Sequence, residues 1–404
     1  MRQEQAQPPA LHALQISFYV DPSGRPPSQL LNDWPSLSDV AEAVAGAGLR
    51  VTVVQACRHP QLLCHRGIDY HFVAPSPRTA QLADNPDFVH LIQNLRPDVF
   101  HVHGLGFPAD VYRLWQLAPA TPILLQDHAD RPPRFWRRRR WRRGLAVAAA
   151  VAFCARAQSV PFKRARIVPA QLPIAEVPES SSRFTPGDRA EARRRTGLTG
   201  EPALLWAGHL DRNKDPLTVL EGVRRALPML PRLQLWCCYG SSPLLAQVQR
   251  KLQADARLRA CVHLLGQVPH PEVQELMRAA DFFVLGSHRE GSGYALIEAL
   301  ACGLPAVVTD IPSFRALTGC GATGRLWRRG DPDSLCRALL ALAHTSQAPL
   351  RAATRAHFQA EISFEAVGRK LAAAYRASIQ PAESANSARP AVGVRDAMSV
   401  RSSS

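Results

Sequence analysis

The chain has 404 residues, a length that suits two domains of about 100–200 residues each. Hydrophobic residues make up 46% and charged residues 20% of the chain, a composition that argues against a fibrous or disordered protein. The formal net charge of +16 predicts affinity for an anionic partner, which is a membrane surface, a nucleic acid or a phosphorylated substrate.

The apolar runs and the cysteines predict a cytoplasmic protein. No apolar run reaches the roughly 18 residues that span a bilayer, and residues 1–15 lack the pattern of a secretory signal. The nine cysteines form no Cys-x-x-Cys pair, and several stand in apolar runs, as buried thiols do. We therefore expect neither a disulfide scaffold nor a zinc ribbon. Residues 380–404 are polar and aperiodic, and we expect them to be a disordered tail.

Strand-like and helix-like segments alternate along the first half of the chain. The predicted strands are 13–20, 50–55, 98–104, 122–127, 150–155 and 166–170, and the predicted helices include 37–47 and 85–95. Continuous apolar strands between helices are typical of a parallel sheet that is covered on both faces. Pro, Ser and charged residues then concentrate in 171–186, which we interpret as an interdomain linker.

The alternation restarts after this segment. The predicted strands are 203–208, 232–240, 261–266, 281–286 and 306–310, and the predicted helices are 214–227, 243–255, 271–279, 293–302, 331–343 and 364–379. The sequence therefore predicts an α/β fold of two Rossmann-like, doubly wound parallel-sheet domains that face a cleft, spanning residues 12–180 and 187–345. Ligands of such sheets bind beyond the carboxyl ends of the strands, so residues just after strands are the site candidates.

A strand, a glycine loop and a helix follow one another in residues 286–312. Gly291 and Gly293 leave backbone amides open at the helix N-terminus, where the dipole favours an anion such as a diphosphate. Glu298, one turn into the helix, is placed to meet ribose hydroxyls, and Glu290, before the turn, to bind a hydroxyl-rich group beyond the phosphates. The alternative is a packing loop with two solvated glutamates.

A second strand–loop–helix unit spans residues 204–223. The strand ends at Gly208, and His209 and Lys214 flank the polar loop that follows it. Lys214 is one of four lysines in an arginine-rich chain, and the compact charge of lysine suits a phosphate. A solvated loop lysine is the alternative.

Histidines near the end of a predicted strand form a third candidate group. We expect His101 and His103 on opposite sides of the sheet, with His103, nearer the carboxyl end, facing the cleft. A hydrogen-bonded core histidine is the alternative for each. Gln126, Asp127 and His128 end the next strand and are candidates for lining an acceptor pocket.

The strongest charge cluster is RFWRRRRWRR, residues 134–143, which contains Arg137 to Arg143. Arginine with interleaved tryptophan suits an anionic membrane interface or a nucleic acid. No zinc, RRM or helix-turn-helix signature supports nucleic acid, and a solvated helix is the further alternative. Asp331 and Asp333 spell Asp-x-Asp around a proline, which is typical of a helix start, so we expect no metal there.

These motifs together resemble a known family. EGSGYALIEALACGLPAVVTD, from residue 290, resembles the paired-glutamate signature of the group 1 retaining glycosyltransferases (family 4, GT-B fold). AGHLDRNKDPLTVL resembles their phosphate-binding strand and loop, and RPDVFHVHGL the strand before their acceptor site. The resemblance covers about 200–345 and, more loosely, 12–170. It also implies that residues 350–379, which contain the last helix, pack back toward the first domain.

The resemblance implies a transferase that moves a sugar from a nucleotide-sugar donor to a glycan, lipid or small-molecule acceptor, with retention and with no metal or other cofactor. It implies catalytic roles for Glu290 at the donor sugar, Lys214 at the diphosphate and His103 near the reacting sugar. Glu298 would bind the ribose. The further donor-binding residues that it implies are Gly208, His209, Gly266, Val268, Gly293, Tyr294 and Ala295. Gly266 and Val268 among them would lie near the base.

The sequence departs from the family pattern at several places, among them residues 311–314, which stand where many members have Gly-Gly, and alternatives to a glycosyltransferase remain. His209 stands where relatives often have Arg, so one charge near the phosphates depends on pH, and residues 21–29 replace a common Gly-Gly loop. An epimerase or a phosphorylase of the same architecture is one alternative, and a non-catalytic protein that binds polyanions or membranes is another. If Arg137–Arg143 dock on lipid, the protein is peripheral on the inner face of the membrane.

Overall fold

The computed structural model describes residues 10–380, so the predicted tail lies almost wholly outside the described residues. The first sheet has eight strands in the order β3-β4-β2-β1-β5-β6-β7-β8, and every pair is parallel except β3–β4. Its strands are His12–Ser17 (β1), Arg50–Ala56 (β2), Gln61–His65 (β3), Ile68–Val73 (β4), Val99–His103 (β5), Ile123–Gln126 (β6), Ala150–Phe153 (β7) and Ile174–Glu176 (β8).

Six helices belong to this sheet, and the first four begin at a proline. They are Pro27–Asp33 (α1), Pro35–Gly46 (α2), Pro86–Leu95 (α3), Pro108–Leu117 (α4), Arg138–Leu145 (α5) and Val160–Arg164 (α6). Proline suits the first helical position because the amide that it lacks would have no partner there. The central strands β5, β6 and β7 are almost wholly buried, as expected for a parallel sheet between two helical layers.

The second sheet has six parallel strands in the order β11-β10-β9-β12-β13-β14. Its strands are Ala203–Ala207 (β9), Gln234–Cys238 (β10), Val262–Gly266 (β11), Phe282–Leu285 (β12), Ala306–Thr309 (β13) and Gly324–Trp327 (β14). The chain order reverses between β9 and β12, just as it reverses between β1 and β5 in the first sheet. Each reversal is a topological switch point, where the loops after two neighbouring strands diverge and open a crevice.

Ten helices complete the described chain. They are Arg189–Thr196 (α7), Pro216–Ala226 (α8), Leu245–Ala254 (α9), Ala256–Cys261 (α10), His270–Ala279 (α11), Tyr294–Ala301 (α12), Pro312–Leu317 (α13), Pro332–Ala343 (α14), Gln347–Glu361 (α15) and Phe364–Ile379 (α16). The last helix, α16, packs against α2 of the first domain. The contact is close, because a Cβ at Gly368 would lie 2.0 Å from the carbonyl oxygen of Ala43.

The structure confirms the predicted α/β fold of two parallel-sheet domains and corrects three local predictions. Residues 166–170 form no strand; the last strand of the first sheet is β8, which lies inside the proline-rich segment interpreted as a linker. The β3–β4 hairpin at the sheet edge was not predicted. His101 and His103 lie on the same face, with ring centroids 4.2 Å apart, because residues two apart in a strand point the same way.

The cysteine thiols and the apolar character of the helices are two features on which the sequence supports expectations. All nine cysteines are free, and seven of them are buried. Within residues 10–380 no helix has both the length and the apolar character that a membrane crossing requires.

Candidate active site

Lys214 and Glu290 meet in the cleft, although 76 residues separate them in the sequence. Lys214 follows β9 and Glu290 follows β12, the two strands at the switch point of the second sheet. Lys214 Nζ donates to Glu290 Oε1 at 2.6 Å, and the two side chains are only 16% and 13% exposed. The two predicted catalytic residues of the donor side therefore form one ion pair at the crevice.

Backbone contacts hold the two loops together. The Lys214 amide donates to Asp211 Oδ1 at 2.8 Å, which forms the turn after β9. The His288 amide donates to the carbonyl of Asn213 at 2.7 Å, which joins this turn to the loop after β12. Gly286 allows this approach, because a Cβ there would lie 2.8 Å from the Lys214 carbonyl oxygen. The position of the ion pair is thus fixed by main chain as well as by charge.

The N-terminus of α12 opens beside Glu290. Gly293 precedes the helix with φ +88°, a conformation that favours glycine, and a Cβ there would lie 2.6 Å from the ring of Phe314. No side chain caps this end, so the first-turn amides of Tyr294 and Ala295 have no acceptor within the helix. Tyr294 is 44% exposed toward solvent. This end of α12 is suited to an anion.

Glu298 lies one turn into α12 and pairs with a histidine that the sequence analysis did not identify. His270 Nε2 lies 2.7 Å from Glu298 Oε1, and the His270 ring lies against Phe184 with centroids 4.7 Å apart. Burial raises the pKa of Glu298, and the bond to His270 partly opposes this. One carboxylate oxygen of Glu298 is thus occupied, and the other remains for a ligand. No spacing rule links positions 28 residues apart, so His270 carried no usable signal.

The remaining donor-side candidates lie at the carboxyl ends of β9 and β11. Gly208 follows β9, and the exposed His209 accepts a hydrogen bond on Nδ1 from the Ser241 amide at 3.1 Å, so Nε2 carries its proton. Gly266 ends β11 with φ +73°, and Val268 packs against the core of the second domain. Because β11 is the outer strand, two places from β9, these last two residues lie apart from the Lys214–Glu290 pair.

Two histidines and a glutamate form a chain of contacts along the first-domain side of the cleft. His103 Nδ1 lies 3.1 Å from His128 Nε2, and His128 Nδ1 lies 3.5 Å from Glu179 Oε2. Burial and the charges of His101 and His128 hold the pKa of His103 well below its ordinary value. Burial lowers the pKa of His128, but the bond to Glu179 and its charge outweigh this, so the pKa is raised. His103 is therefore the neutral member of the pair, and His128 is the member whose protonated form the neighbouring carboxylates favour.

Glu179 also escaped the sequence analysis, because it lies in the segment interpreted as a linker. Its side chain is 8% exposed and its amide donates to Ser292 Oγ at 2.9 Å, across the interface between the domains. A Cβ at Gly291 would lie 1.9 Å from Glu179 Oε1, so the glycine lets the carboxylate pack directly against the loop. Glu179 thus joins the first domain to the glycine loop of the second.

His101 is a core histidine rather than a cleft residue. It is fully buried and its Nδ1 lies 2.7 Å from the hydroxyl of Tyr375 on α16, which in turn accepts a bond from Gln15 at 3.3 Å. Burial and the charge of His128 lower the pKa of His101 to about 3, so it is neutral. The last helix thereby supports the strand that carries His103.

Asp127 carries the most perturbed carboxyl group among the candidate residues. It is 4% exposed, and burial, with the charges of Asp130 and Glu179, raises its pKa to about 7. Gln126 lies beneath it, fully buried, and donates to the carbonyl of Pro178 at 3.3 Å. A carboxyl group that titrates near neutral pH in a cleft marks a functional-site candidate.

Side chains of both domains bridge the cleft at the loop that carries Glu290. Arg289 donates to the carbonyls of Ala129 and Asp130, and Gln158 donates to the carbonyls of Glu290 and Gly291 at 3.0 and 2.8 Å. The loop after β12 is therefore anchored from the first domain, with Glu290 between the two sheets.

A cavity of about 510 Å³ lies on the first-domain side of the cleft. Aromatic, small and polar side chains line it, among them His103, His128 and Glu179. A volume of this size is typical of a small-molecule site. His128 lines this cavity, whereas Asp127 lines a separate cavity of about 500 Å³ together with Glu290.

The Asp-x-Asp motif caps a helix. Asp331 Oδ1 accepts from the amides of Asp333 and Ser334, both at 3.0 Å, at the start of α14. Within residues 10–380 no group of three or more His, Cys, Asp or Glu side chains is arranged to hold a metal ion.

The arginine cluster forms an exposed helix on the first domain. Phe135 and Trp136 are 75% and 57% exposed just before α5, and the Arg143 guanidinium lies 3.9 Å from the ring centre of Tyr112. Within the described chain, no arginine from 137 to 143 pairs with a carboxylate. The positive charge of this arginine cluster is therefore available to a partner.

Comparison with known proteins matches the second domain most closely. Residues 201–345 match the family model described as Glycosyl transferases group 1. A D-inositol 3-phosphate glycosyltransferase of Geodermatophilus obscurus is 34% identical over 206 residues, which cover 49% of this chain and 45% of that protein. A GDP-mannose:cellobiosyl-diphosphopolyprenol alpha-mannosyltransferase of Xanthomonas campestris is 27% identical over 271 residues, 64% of this chain and 69% of that protein. The chain spans about half the length of most of these curated relatives.

Solved structures match over nearly the whole chain. Anabaena Alr3699/HepE in complex with UDP has a TM-score of 0.67 at 17% identity, covering 91% of this chain and 100% of that one. Sucrose-phosphate synthase from Thermosynechococcus elongatus has a TM-score of 0.64 at 21% identity, covering 91% and 98%. At these identities the likeness concerns the fold, and it confirms the predicted arrangement of two Rossmann-like domains.

Proposed function

We propose that this chain, whose residues 201–345 form a group 1 glycosyl transferase domain on a GT-B fold, transfers a sugar from a nucleoside diphosphate sugar to an acceptor. The observation that carries the proposal is the ion pair of Lys214 and Glu290, at 2.6 Å, beside the uncapped N-terminus of α12. Cation, carboxylate and helix amides together match the parts of a diphosphate sugar.

Each group has a distinct role in this proposal. Lys214 and the amides of Tyr294 and Ala295 bind the diphosphate, Glu298 binds the ribose, and Glu290 binds the donor sugar. Because Lys214 contacts Glu290 before the donor arrives, the donor phosphate replaces that carboxylate as its partner and leaves Glu290 free for the sugar hydroxyls. His103 orients the sugar from the first domain: its Nδ1 faces His128 at 3.1 Å, which leaves Nε2 of the neutral ring for the sugar.

The proposed reaction retains the anomeric configuration. The bond between the anomeric carbon and the phosphate oxygen breaks, and the acceptor oxygen forms its bond on the same face. The acceptor proton passes to the departing phosphate oxygen. Lys214 stabilises the negative charge that grows on the diphosphate, so no protein nucleophile is needed. We propose that no metal or other cofactor takes part, with Lys214 in the place of a divalent cation.

We propose that the acceptor, which is a glycan, a lipid or a small molecule, enters from the first domain. We also propose that the arginine-rich helix α5 holds the enzyme at an anionic membrane. The segment from Asp127 to Arg131 lines the cleft cavities and leads within a few residues to the exposed Phe135 and Trp136. A surface that binds lipid would thus lie next to the acceptor cavity. We propose a cytoplasmic protein that is peripheral on the inner face of the membrane.

Ligand-dependent unfolding tests the donor site. A nucleoside diphosphate at 100 times its dissociation constant stabilises the folded protein by roughly 2.7 kcal/mol, so a panel of UDP, GDP, ADP and TDP identifies the base. The sugar is then found by measuring nucleoside diphosphate release from the matching nucleotide sugars, with and without EDTA. Failure of every nucleoside diphosphate to shift the unfolding temperature would contradict the proposal, and activity lost in EDTA would contradict metal independence.

Vesicle flotation tests the membrane surface. Each arginine near an anionic bilayer contributes about 1 kcal/mol, so replacing Arg137, Arg138, Arg139 and Arg140 with Ser should abolish flotation with phosphatidylglycerol vesicles. Replacing the four exposed arginines Arg194, Arg195, Arg232 and Arg328 on the second domain is the control for net charge. Equal loss of flotation in both variants, or none in the wild type, would refute docking by α5.

A further inference from the structure

We propose that the cavity beside His103 takes an uncharged, hydroxyl-bearing ring as the acceptor and that Glu179 binds one of its hydroxyls. This inference rests on the proposed glycosyl transfer and names the class of acceptor. It combines the shape of the cavity, the charges around it, and a buried carboxylate oxygen without a partner.

The cavity walls are largely aromatic and small. Tyr19, Trp34 and Phe107 line it, with the rings of Tyr19 and Trp34 5.8 Å apart. Flat apolar walls with a few polar groups at one end are what a ring compound needs, because C–H faces pack on the rings and hydroxyls reach the polar end. The volume of about 510 Å³ admits a ring of sugar size.

The charges around the cavity disfavour an anion. Among the described residues that line it, none is Lys or Arg, whereas Asp130 and Glu179 are both carboxylic acids. The guanidinium of Arg25 lies 4.9 Å from the centre of the Trp34 ring, but Asp21 and Asp33 both pair with it. Among these lining residues, His128 is the one side chain whose cationic form the surroundings favour, and Glu179 already faces it at 3.5 Å. A phosphoryl group in this cavity would therefore compete with Glu179 for a single histidine and would lie near two carboxylates.

Glu179 supplies the specific contact. Its residue is 7% exposed, its Oε2 faces His128 at 3.5 Å, and its Oε1 has no hydrogen-bond partner among the described residues. A buried carboxylate oxygen without a donor costs free energy, and native structures almost always supply one. Oε1 lies against Gly291 and is shielded from solvent, so in this proposal the carboxylate rotates to receive a ligand hydroxyl from the cavity as that donor.

Matched pairs of acceptors test the inference on the wild-type protein. The probes are glucose, mannose and myo-inositol, each compared with its monophosphate, and binding is measured by saturation-transfer NMR with saturating nucleoside diphosphate present. We expect at least one neutral probe to bind at least tenfold more tightly than its monophosphate. The same pairs serve as acceptors in turnover assays once the donor is known.

Two variants test the role of Glu179. Glu179→Gln keeps the shape but removes the charge, and a hydrogen bond to a charged group corresponds to about ten- to hundredfold in affinity for the neutral probe. Glu176→Gln, on the half-exposed end of β8 outside this cavity, is the matched control and should leave affinity unchanged. Affinity for the nucleoside diphosphate should be the same in all three proteins.

The outcomes separate this inference from the proposed function. Monophosphates that bind as tightly as their neutral partners would overturn the uncharged class, and so would a protein that binds nucleoside diphosphate but none of the neutral probes. Unchanged probe affinity in a folded Glu179→Gln protein would overturn the role of Glu179. A wild type that binds no nucleoside diphosphate would instead overturn the proposed glycosyl transfer itself.

Discussion

Replacing Asp127 with Asn should make the protein more stable at alkaline pH. Asp127 is 4% exposed at the end of β6, and its Oδ1 accepts a hydrogen bond from the Asp130 amide at 3.0 Å. Asparagine keeps that acceptor and the shape of the side chain. What it removes is the charge, which burial and the neighbouring Asp130 and Glu179 carboxylates disfavour.

The raised pKa sets both the sign and the size of the effect. The pKa rises from an ordinary 3.8 to about 7, so between these values the folded state binds more protons than the unfolded state and loses stability as pH increases. At 1.36 kcal/mol for each pKa unit, the charged form costs the folded state about 4 kcal/mol above pH 7. The gain for Asp127→Asn should be near zero below pH 3.8 and should reach about 4 kcal/mol above pH 7.

Denaturant unfolding at a series of pH values from 4 to 8.5 measures this difference. The control is Asp87→Asn, an exposed carboxylate in the first turn of α3, which should leave the pH dependence unchanged. A stability difference between wild type and Asp127→Asn that is flat with pH, or that favours the wild type at pH 8.5, would refute the reasoning. Because Asp127 lines a cavity with Glu290, we also expect the stabilised variant to lose turnover, as happens where active sites are held at a cost in stability.

Three further predictions concern the candidate site. Lys214→Ala should lower kcat by about 10²–10³, with partial recovery in Lys214→Arg, and a folded alanine variant within threefold of wild type would contradict the diphosphate role. Glu298→Ala should weaken nucleoside diphosphate binding by about 1–3 kcal/mol in calorimetry, and His270→Ala should weaken it less. If the two variants bind the nucleoside diphosphate with equal affinity, Glu298 does not bind the ribose. The rate should fall as pH rises through the raised pKa of His128, because the proton that fixes the tautomer of His103 is lost. Since the Glu179 charge raises that pKa, Glu179→Gln should move the alkaline fall to lower pH, and an unmoved profile would count against the contact.

The sequence predicted the donor side better than the acceptor side. Lys214 and Glu290 each follow a strand within a local strand–loop–helix pattern, so their meeting follows from the rule that switch-point loops share one crevice. Glu179 and His270 have no such pattern: each lies in or beside a loop, and only the packing of the two domains or of α11 on α12 brings it to the site.

Other errors have equally local causes. The strand β8 has only three residues and lies among prolines and serines, so its composition indicated a linker although Val151 and its neighbours pair with it. The hairpin of β3 and β4 lies at an exposed sheet edge, where polar residues alternate and the apolar signal is weak. The common face of His101 and His103 follows directly from strand geometry and was predictable.

The position of α16 has a consequence for how the protein is made. Leu371, Ala372 and Tyr375 of this helix are buried in the same apolar cluster as Val40 and Val44 of α2, so the first domain is assembled from two separated stretches of chain. The ribosome adds about 5–20 residues each second, and it must complete the whole second domain between Glu176 and Phe364 before α16 exists. For about 10–40 s the nascent first domain therefore has an uncovered apolar face, and a chaperone that shields such faces would act on this protein within that interval.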